Sequence, residues 1–560
     1  MQSFHKYITA GYYNNLLRLL AKERVKQGSQ NKLTTKRRKD RKPQFKSKVQ
    51  PLMPPRNKWI RLRQSIRSKG MSQENENILS IRTTIVSDMK RFKDTMSNAP
   101  EYLTHLLEFI SGITAAVSGE APLEFSGKDF TIIPKFKNDE GEDAIYRPIC
   151  VYNKLETKTL ISAASAYLTQ AFDKHLHEEI LSYRPRRMYH GEKTTTDGNH
   201  AIKGIKEYLN DHKGQNIYVA ECDIQKFFDI INHDIVLDCF DRLAEKAKIP
   251  EYHQVRNILK AYLDSYGFVP NVLNLNDCEE YWTSSRKRHS GEVKGKCLFK
   301  WVNEEGFMKA YTQEEFKQQR NSLGVPQGGA LSCVISNVVL NDVDSVIIAE
   351  EDPDRFFARY GDDIILMHTD RRKCEALLEA YKQSLLDHKL IYHNFEDFSN
   401  LKDGAKITKK FWNGKSKPVF LWGPGEGNAS EWIGFVGYEI RFNGETRLRL
   451  STFEKKFAEI NKKYHKCLEV KNATRSEHLQ KAIEYMESLP ESLDKFSELS
   501  LMPHRPGKTH LSRQLKRLDK VRYRKLAKLD AKLSKKYEKN VSLSEQFKKK
   551  GEASYYRSVE

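Results

Sequence analysis

Residues 356–368 read FFARYGDDIILMH, with two adjacent aspartates between two runs of apolar, strand-forming residues. Gly361-Asp362 suits a tight turn, so the segment predicts a β-hairpin with Asp362 and Asp363 at its tip. Ordinary turn chemistry explains a Gly-Asp pair, but it does not explain two like charges side by side. The pair therefore predicts that a multiply charged cation binds at this tip.

Two further segments place polar or flexible residues at the ends of predicted elements. The stretch IYVAECD, residues 217–223, predicts a buried strand that ends on Asp223, where a carboxylate needs a cation or hydrogen bonds to compensate its burial. Helix N-caps also use aspartate, so this feature alone has an ordinary explanation. The stretch GVPQGGALS, residues 324–332, predicts a turn before a helix, in which Gly328 and Gly329 let the backbone approach a ligand closely.

In this order the three segments resemble the palm of reverse transcriptases. Residues 132–137 (IIPKFK) and 146–149 (YRPI) resemble the fingers hairpin of the bacterial and group II intron-type enzymes. Residues 182–202, which begin SYRPRRMYHGEK and end HAI, resemble their F-R-P-x-R-S…A-I segment, and FVGYEI at 435–440 resembles their F-L-G-Y strand. The resemblance covers roughly residues 130–445. It implies an α+β right-hand polymerase with fingers, palm and a helical thumb.

The resemblance implies a catalytic metal site. Asp223 and Asp362 are expected to hold two Mg²⁺ ions, with Asp363 in support and the Ile224 carbonyl completing one coordination shell. Carboxylate and carbonyl oxygens are the ligands that Mg²⁺ prefers. We predict that two such ions stabilise the attacking 3′-oxygen and the leaving pyrophosphate.

The resemblance also implies contacts to the nucleotide and the primer. Lys135 and Arg147 on the fingers hairpin are expected to grip the triphosphate, although ordinary surface charge is the alternative. Gln327 and Gly328 are expected to line the new base pair, and Tyr360 to pack beside the primer end. The implied primer-grip residues are Phe435, Gly437 and Tyr438.

The residue five positions after Asp223 bears on the product. RNA-making relatives usually place aspartate there, whereas this chain has Phe228. An aromatic ring clashes with a ribose 2′-hydroxyl, so it predicts a DNA product; a plain core role for Phe228 is the alternative.

The chain departs from the family pattern at two places. It has Ser332-Cys333 where the family usually has Ser-Pro, and Gly361 where alanine is commoner. Neither removes an expected metal ligand.

The charge is concentrated near the two ends of the chain. The formal net charge is +22. Residues 23–69 carry 17 Lys/Arg against two acids, and residues 505–550 carry 17 against four. Such segments suit a polyanion such as RNA, although a solvated charged surface is the alternative.

The eight cysteines form no C-x-x-C pair. They predict reduced thiols in the cytoplasm, and no stretch of 18 apolar residues predicts a membrane span.

Strands and helices mix without regular βαβ alternation, which favours the α+β class. We expect a basic N-terminal extension at 1–100, fingers at 101–215, a palm at 216–445 with a polar, irregular insertion at about 267–320, and a thumb with a basic helical region at 446–560. The absence of RNase H and nuclease patterns after residue 440 favours a stand-alone enzyme.

The sequence therefore predicts an RNA-directed DNA polymerase, a nucleotidyltransferase that makes cDNA from dNTPs. Its closest resemblance is to stand-alone, phage-defence-associated reverse transcriptases within the group II intron/retron-like superfamily, which often copy a structured non-coding RNA. A maturase or RNA-binding protein with secondary polymerase activity and an RNA-dependent RNA polymerase are the alternatives. A homo-oligomer is also open.

Overall fold

The fold is known from a computed structural model. The structure describes residues 1–35, 49–63, 73–123, 125–127, 129–140, 143–185, 187–189, 192–286, 295–395, 411–425, 427–468 and 510–537. The longer stretches outside these ranges are residues 36–48 and 64–72 of the predicted N-terminal extension, 287–294 of the insertion, 396–410 of the predicted palm, and 469–509 and 538–560 of the predicted thumb region.

Sixteen α-helices lie within the described residues. They are α1 (Phe4–Thr35), α2 (Gln73–Arg91), α3 (Glu101–Ser118), α4 (Leu155–Phe172), α5 (Gly198–Asp211), α6 (Phe227–Ile230), α7 (His233–Lys246), α8 (His253–Asp264), α9 (Phe268–Asn271), α10 (Glu279–Arg286), α11 (Glu304–Phe307), α12 (Gln313–Gln319), α13 (Ala330–Ile348), α14 (Arg371–Asp387), α15 (Leu450–Leu468) and α16 (His510–Tyr537).

Thirteen strands lie within the same ranges. They are β1 (Phe130–Glu140), β2 (Asp143–Tyr152), β3 (Arg187–Tyr189), β4 (Glu192–Thr194), β5 (Tyr218–Asp223), β6 (Cys297–Phe299), β7 (Arg355–Tyr360), β8 (Asp363–His368), β9 (Lys417–Trp422), β10 (Ala429–Ser430), β11 (Trp432–Phe435), β12 (Tyr438–Arg441) and β13 (Thr446–Leu448). The mixture of helices and strands confirms the α+β class.

The chain divides into two compact units. Unit one contains Met1–His177, Ile224–Val346 and Gln383–Ile391, and unit two contains Glu178–Asp223, Ile347–Lys382 and Tyr392–Glu560. The fingers, palm and thumb boundaries expected from the sequence stay a prediction.

Unit one combines a helical layer with a three-stranded sheet. Helix α1 packs on α2, α3 and α4. In the sheet, β2 lies between β1, to which it is antiparallel, and β6, to which it is parallel. One face of this sheet packs on an aromatic core that includes Tyr146, Phe268, Trp282 and Phe299.

The expected irregular insertion at 267–320 is largely ordered, and this corrects the sequence interpretation. Its described residues form α9 to α12 and β6. Capping explains part of the difference, because Thr312 and Glu315 form a reciprocal capping box at the start of α12. Aromatic burial explains the rest, since Trp282, Phe299 and Phe307 are almost fully buried. The polar residues that suggested a loop lie between these anchors.

Unit two is built on a five-stranded sheet in the order β10-β9-β5-β8-β7. The strand that ends on Asp223, β5, is central and antiparallel to both neighbours. A second sheet contains β11, β12 and β13. Helices α15 and α16 pack against each other and share the unit's hydrophobic core, to which α16 contributes leucines including Leu515, Leu518 and Leu526.

The segment FVGYEI, expected as one strand, is the turn of a hairpin. Phe435 pairs with Tyr438 across β11 and β12. The two residues between them, Val436 and Gly437, have φ of 41° and 88°. Positive φ at both central positions is the signature of a tight hairpin turn, so the chain reverses there.

One described helix, α13, is long and apolar enough for a membrane span by length and composition alone. In this helix, 72% of the apolar stretch is buried inside the protein, and core helices commonly satisfy the same criterion.

All eight cysteines lie in described residues and are free thiols, as the sequence predicted.

Candidate active site

The β7–β8 hairpin carries its two aspartates at the tip, as the sequence predicted. Tyr360 pairs with Asp363, which leaves Gly361 and Asp362 as the two turn residues. Gly361 has φ of 72°, the left-handed conformation that glycine adopts without strain. Its N–H donates to Ser182 Oγ at 2.9 Å, and its carbonyl accepts from the buried Arg359 guanidinium at 3.1 Å. The tip is therefore fixed from both sides.

Asp223 lies beside this tip within unit two. In the antiparallel register of β5 and β8, Asp223 pairs directly with Asp363. Directly opposed residues have Cβ atoms about 4.5–5.5 Å apart, so the two carboxylates are neighbours. Asp223 is buried, and its backbone N–H donates to Ser416 Oγ at 3.1 Å. The structure thus brings together the aspartates that lie 140 positions apart in the sequence.

The carboxylates disturb one another electrostatically. Burial of the carboxyl group and repulsion by Asp223 and Asp362 raise the pKa of Asp363 to about 7, while Lys415 acts in the opposite direction. A cation placed among these groups would relieve that repulsion.

Two basic side chains lie beside Asp223 and were missed by sequence reasoning. Lys415 Nζ hydrogen-bonds to Asp223 Oδ2, and His393 Nε2 lies 3.8 Å from the same oxygen. The missed signal is GKSKPVF at 414–420, in which Lys415 and Lys417 stand two residues apart at the start of an apolar strand. That spacing places both side chains on one face of a strand.

Lys417 forms the second of these pairs, with Glu221. Both residues are almost fully buried, with 2% and 7% of their surface exposed, and Lys417 Nζ bonds to Glu221 Oε2. Glu221 lies two residues before Asp223 on β5. This pair places a neutralised carboxylate beside Asp223.

These groups fit a divalent cation. Asp223, Asp362, Asp363 and Glu221 supply four carboxylates, whereas Lys415 and Lys417 supply two compensating ammonium groups. Hard cations such as Mg²⁺ prefer carboxylate oxygens, and the excess of negative charge favours their binding. Ile224, the expected carbonyl ligand, follows Asp223 and is buried.

The expected nucleotide-binding groups lie in unit one. Lys135 and Arg147 face each other across the β1–β2 hairpin, and both are exposed. Phe228 is half-buried against Phe227, with their ring centroids 5.2 Å apart in an edge-to-face arrangement. The Phe228 carbonyl accepts from the Val325 N–H at 2.8 Å. The expected gate residue is therefore anchored to the turn that carries Gln327.

Asp229 holds the side chain of Gln327. Gln327 Nε2 donates to Asp229 Oδ1 at 2.6 Å, and the Gln327 carbonyl accepts from the Cys150 N–H of β2 at 2.9 Å. Burial raises the pKa of Asp229 to about 6, although Lys226, Gln327 and Arg147 oppose the rise. Sequence reasoning did not assign Asp229 a role.

Gly328 and Gly329 of this turn each exclude a side chain, but for different steric reasons. Gly328 has φ of 87°, so a side chain would be strained. A Cβ on Gly329 would lie 2.1 Å from the Tyr262 hydroxyl, which leaves no room for one. The two conditions explain why glycine occupies both positions, and the close approach of this backbone to a ligand stays a prediction.

The predicted primer-grip residues lie at the β11–β12 turn. Phe435 and Tyr438 are only 3% and 1% exposed, and the Tyr438 hydroxyl donates to Asn199 Oδ1 at 3.1 Å. Their rings belong to the core of unit two. Gly437 lies in the turn itself. A primer role, which stays a prediction, therefore falls to the turn backbone rather than to the two rings. Tyr360, expected beside the primer, is 36% exposed.

A comparison with known protein families assigns the domain. Residues 133–394 match the family model described as reverse transcriptase (RNA-dependent DNA polymerase). The chain contains a reverse transcriptase domain. The enzyme class is therefore an RNA-directed DNA polymerase, a nucleotidyltransferase. The reverse transcriptase domain includes the three aspartates and the expected nucleotide-binding residues, whereas Lys415 and the predicted primer grip lie beyond its matched range.

The comparisons with curated proteins and with solved structures give no further assignment. No curated protein matches the chain. Similar solved structures include apo telomerase from Candida tropicalis (12% identity, 81% of this chain and 73% of that chain, TM-score 0.33). Telomerase from Candida tropicalis in complex with a TWJ fragment of telomeric RNA is 11% identical over 88% of this chain and 70% of that chain, with a TM-score of 0.37. These scores are too low to support an argument about function.

The reverse transcriptase domain also contains a Cys-Asp-His group, which lies in unit one. Ligand atoms of Cys239, Asp342 and His388 lie within 4.8 Å of one another. Asp342 Oδ2 already accepts from Arg242 at 2.6 Å and from His388 at 3.0 Å. Although burial opposes protonation, the hydrogen bond to Asp342 raises the pKa of His388 to about 10. The group is therefore an ion-pair network, because its carboxylate is shared by two cations.

Proposed function

We propose that this chain is a Mg²⁺-dependent reverse transcriptase whose catalytic carboxylates are Asp223, Asp362 and Asp363. The observation that carries the proposal is the β5–β8 register, which puts Asp223 opposite Asp363 beside the Asp362 turn. The match of residues 133–394 to the reverse transcriptase family supports the reaction class. The excess of carboxylates supports a divalent cation.

The proposed reaction joins a nucleotide to a primer. The primer 3′-oxygen attacks the α-phosphorus of a dNTP, loses its proton to solvent, and the bond to the leaving pyrophosphate breaks. Bound Mg²⁺ would supply charge stabilisation at the attacking and leaving oxygens. Asp223 and Asp362 would hold the ions with Asp363 in support and the Ile224 carbonyl as a further ligand. Lys135 and Arg147 would bind the triphosphate by charge-assisted hydrogen bonds.

A further set of residues, outside the metal and triphosphate ligands, would select the substrate. Gln327, held by Asp229, and Gly328 would line the new base pair. Phe228 would exclude the ribose 2′-hydroxyl, and Tyr360 would pack beside the primer end. The turn at Gly437, between Phe435 and Tyr438, would support the primer.

We further propose that the template is a structured non-coding RNA and that the enzyme serves phage defence in the cytoplasm. The resemblance to stand-alone bacterial enzymes of the group II intron/retron-like superfamily supports this finer assignment. The eight free thiols are in keeping with a reducing compartment. The fingers, palm and thumb boundaries given above and a homo-oligomeric state belong to the same proposal.

The central experiment is primer extension on an RNA template with labelled dNTPs and Mg²⁺. Asp362→Ala should abolish incorporation while leaving the fold intact, because Asp362 is a half-buried turn residue. Asp277→Ala removes a carboxylate whose side chain is 85% exposed and is the matched control. Wild-type incorporation by Asp362→Ala would overturn the assignment.

The same assay addresses the alternatives. Incorporation of NTPs in place of dNTPs would identify an RNA polymerase. Sequencing the RNA that co-purifies with the wild-type protein tests the template, and plaque counts with wild-type and Asp362→Ala tests the role in defence. Equal protection by both proteins would contradict a defence role that requires DNA synthesis and would favour the RNA-binding alternative.

A further inference from the structure

The ordered insertion adds a third strand to the fingers hairpin. Strand β6 runs parallel to β2, with Ala144 beside Cys297 and Tyr146 beside Phe299. The Ala144 N–H donates to the Lys296 carbonyl at 3.0 Å. The insertion is therefore continuous with the sheet that carries Lys135 and Arg147.

The register of the three strands sets Lys135 beside Arg147 and ends one residue before Lys300. Lys135 pairs with Arg147, and Lys300 follows Phe299 just as Arg147 follows its partner Tyr146. Paired residues project to the same face of a sheet, and successive residues alternate. Tyr146 and Phe299 face the aromatic core, so Lys135 and Arg147 project from the opposite face. Lys300 is the first residue after β6, and it acts with Arg147 on the same neighbour, Lys226. Lys135, Arg147 and Lys300 are all exposed.

Lys300 stands on a fixed part of the backbone. Before it, Asn276 bonds the Phe299 backbone in both directions: the Phe299 N–H donates to Asn276 Oδ1 at 2.8 Å, and Asn276 Nδ2 donates to the Phe299 carbonyl at 3.0 Å. After it, Trp301 Nε1 donates to the Asp229 carbonyl at 3.3 Å. Asp229 is the residue that holds Gln327. The insertion therefore places its lysine relative to both the hairpin and the Gln327 turn.

The charges around this position indicate a polyanionic ligand. Arg147, Lys137 and Lys300 are all close enough to repel the Lys226 ammonium group. Asp229 is the carboxylate that attracts Lys226 there. A concentration of cations that repel each other is stabilised when an anion with several charges binds.

We propose that Lys300 is a third polyphosphate-binding residue, contributed by the insertion, for the incoming nucleotide. This inference rests on the proposed role of Lys135 and Arg147 in binding the triphosphate. Lysine acts as a point charge toward phosphate, so its contribution depends on position more than on bidentate geometry. The insertion is then part of substrate binding and not only a support for the hairpin.

The test is single-nucleotide incorporation at varied dNTP concentration. Lys300→Ala should raise the KM for dNTP by about tenfold, the effect of losing one charge-assisted contact. It should also weaken inhibition by inorganic pyrophosphate, a readout that a purely structural role would not move. Lys300→Arg should retain most of the affinity. Lys296→Ala, an exposed lysine just before β6 on the same insertion, is the matched control and should change neither quantity.

Arg147→Ala distinguishes a failure of the inference about Lys300 from a failure of the proposed triphosphate site. If Arg147→Ala raises the KM and Lys300→Ala behaves like Lys296→Ala, the inference about Lys300 is wrong and the proposed triphosphate site stands. If neither Arg147→Ala nor Lys300→Ala changes the KM for dNTP, the proposed triphosphate site is itself wrong. If Lys300→Ala raises the KM for the RNA template-primer and leaves that for dNTP unchanged, the residue binds template backbone and the inference is overturned.

Discussion

At the scale of single residues, two of the proposed tasks in substrate selection fall on neighbouring residues, Phe228 and Asp229. Phe228 is half-buried and tied to the turn before Gln327 through the Val325 N–H. The next side chain, Asp229, points to Gln327 itself. The two residues therefore place a ring and a hydrogen-bonding group on the same short stretch of chain, and each can be tested separately.

Phe228→Ala should allow ribonucleotides to be incorporated. Removing the ring removes the clash with the 2′-hydroxyl, so discrimination between dNTP and NTP should fall on the order of 10²-fold. The measurement is the ratio of kcat/KM for a dNTP to that for the matching NTP. Phe228→Tyr retains the ring and should retain the ratio. An alanine variant that rejects NTPs as strongly as the parent would place the gate elsewhere.

Asp229→Asn should change how stability depends on pH. The folded-state pKa of Asp229 is raised from 3.8 to about 6, so the folded chain holds this proton more tightly than the unfolded chain. The wild type therefore loses stability as the pH rises from about 4 through 6, by about 3 kcal/mol from this group. Asparagine does not titrate there, and its amide oxygen can still accept from Gln327.

Urea unfolding of both proteins at pH 4, 5, 6 and 7 measures the difference. We expect Asp229→Asn to gain on the wild type as the pH rises, with most of the gain complete above pH 6. Unfolding curves that stay the same distance apart at every pH would show that Asp229 titrates normally in the folded protein.

At the scale of elements, the central strand β5 carries a buried ion pair at Glu221 and the proposed metal ligand Asp223 two residues later. Glu221 and Lys417 are paired across β5 and β9, and neither is significantly exposed. Removing one partner of a buried pair leaves the other charge uncompensated, which is costly. Lys415, two residues away, is 58% exposed and pairs with Asp223.

Lys417→Met should therefore destabilise the protein by about 3–5 kcal/mol, measured by chemical denaturation. The double variant with Glu221→Met should recover most of this loss, because both charges are gone. Lys415→Met is the comparison variant and should cost less than Lys417→Met, because the Lys415 side chain is 58% exposed and water can partly replace it beside Asp223. Equal losses from Lys415→Met and Lys417→Met would mean that burial does not separate the two pairs.

The elements predicted from sequence were those whose signals are local. Alternating apolar residues around Gly361-Asp362 predict the β7–β8 hairpin because turn and strands lie within 13 residues. Lys415 contacts Asp223 across 192 positions. The spacing of Lys415 and Lys417 indicates one face of a strand, but no local pattern identifies the carboxylates that they contact. The ordered insertion was missed because its aromatic anchors are separated by polar stretches without a clear period. The turn at Val436 was missed because valine rarely adopts positive φ.

At the scale of the whole molecule, the basic helix α16 has two distinct surfaces. Its leucines, with the fully buried Arg522, face the core of unit two. Lys520, Arg524 and Lys528 are exposed and spaced four residues apart, so they form one stripe along the helix. With a net charge of +22, the chain as a whole favours a polyanionic partner.

Replacing Lys520, Arg524 and Lys528 with glutamine should weaken RNA binding and make it less dependent on salt. Each phosphate contact contributes about −0.7 to the slope of log affinity against log salt for single strands, so three lost contacts should reduce the slope by about 2. Fluorescence anisotropy with labelled RNA at several salt concentrations measures it. The control replaces three exposed lysines elsewhere, Lys213, Lys246 and Lys317, with glutamine. The same change in slope from both variants would indicate a general charge effect.

The parallel strand β6 also has a consequence for solubility. A hairpin edge without a neighbour offers free N–H and C=O groups to any other extended chain, and natural proteins cover such edges to avoid aggregation. In this protein β6 covers the outer edge of β2 along residues 144–146. Excising residues 267–320 would bare that edge along with the aromatic core. A deletion variant would therefore precipitate before its catalysis could be judged, which makes point substitutions the sound route into this segment.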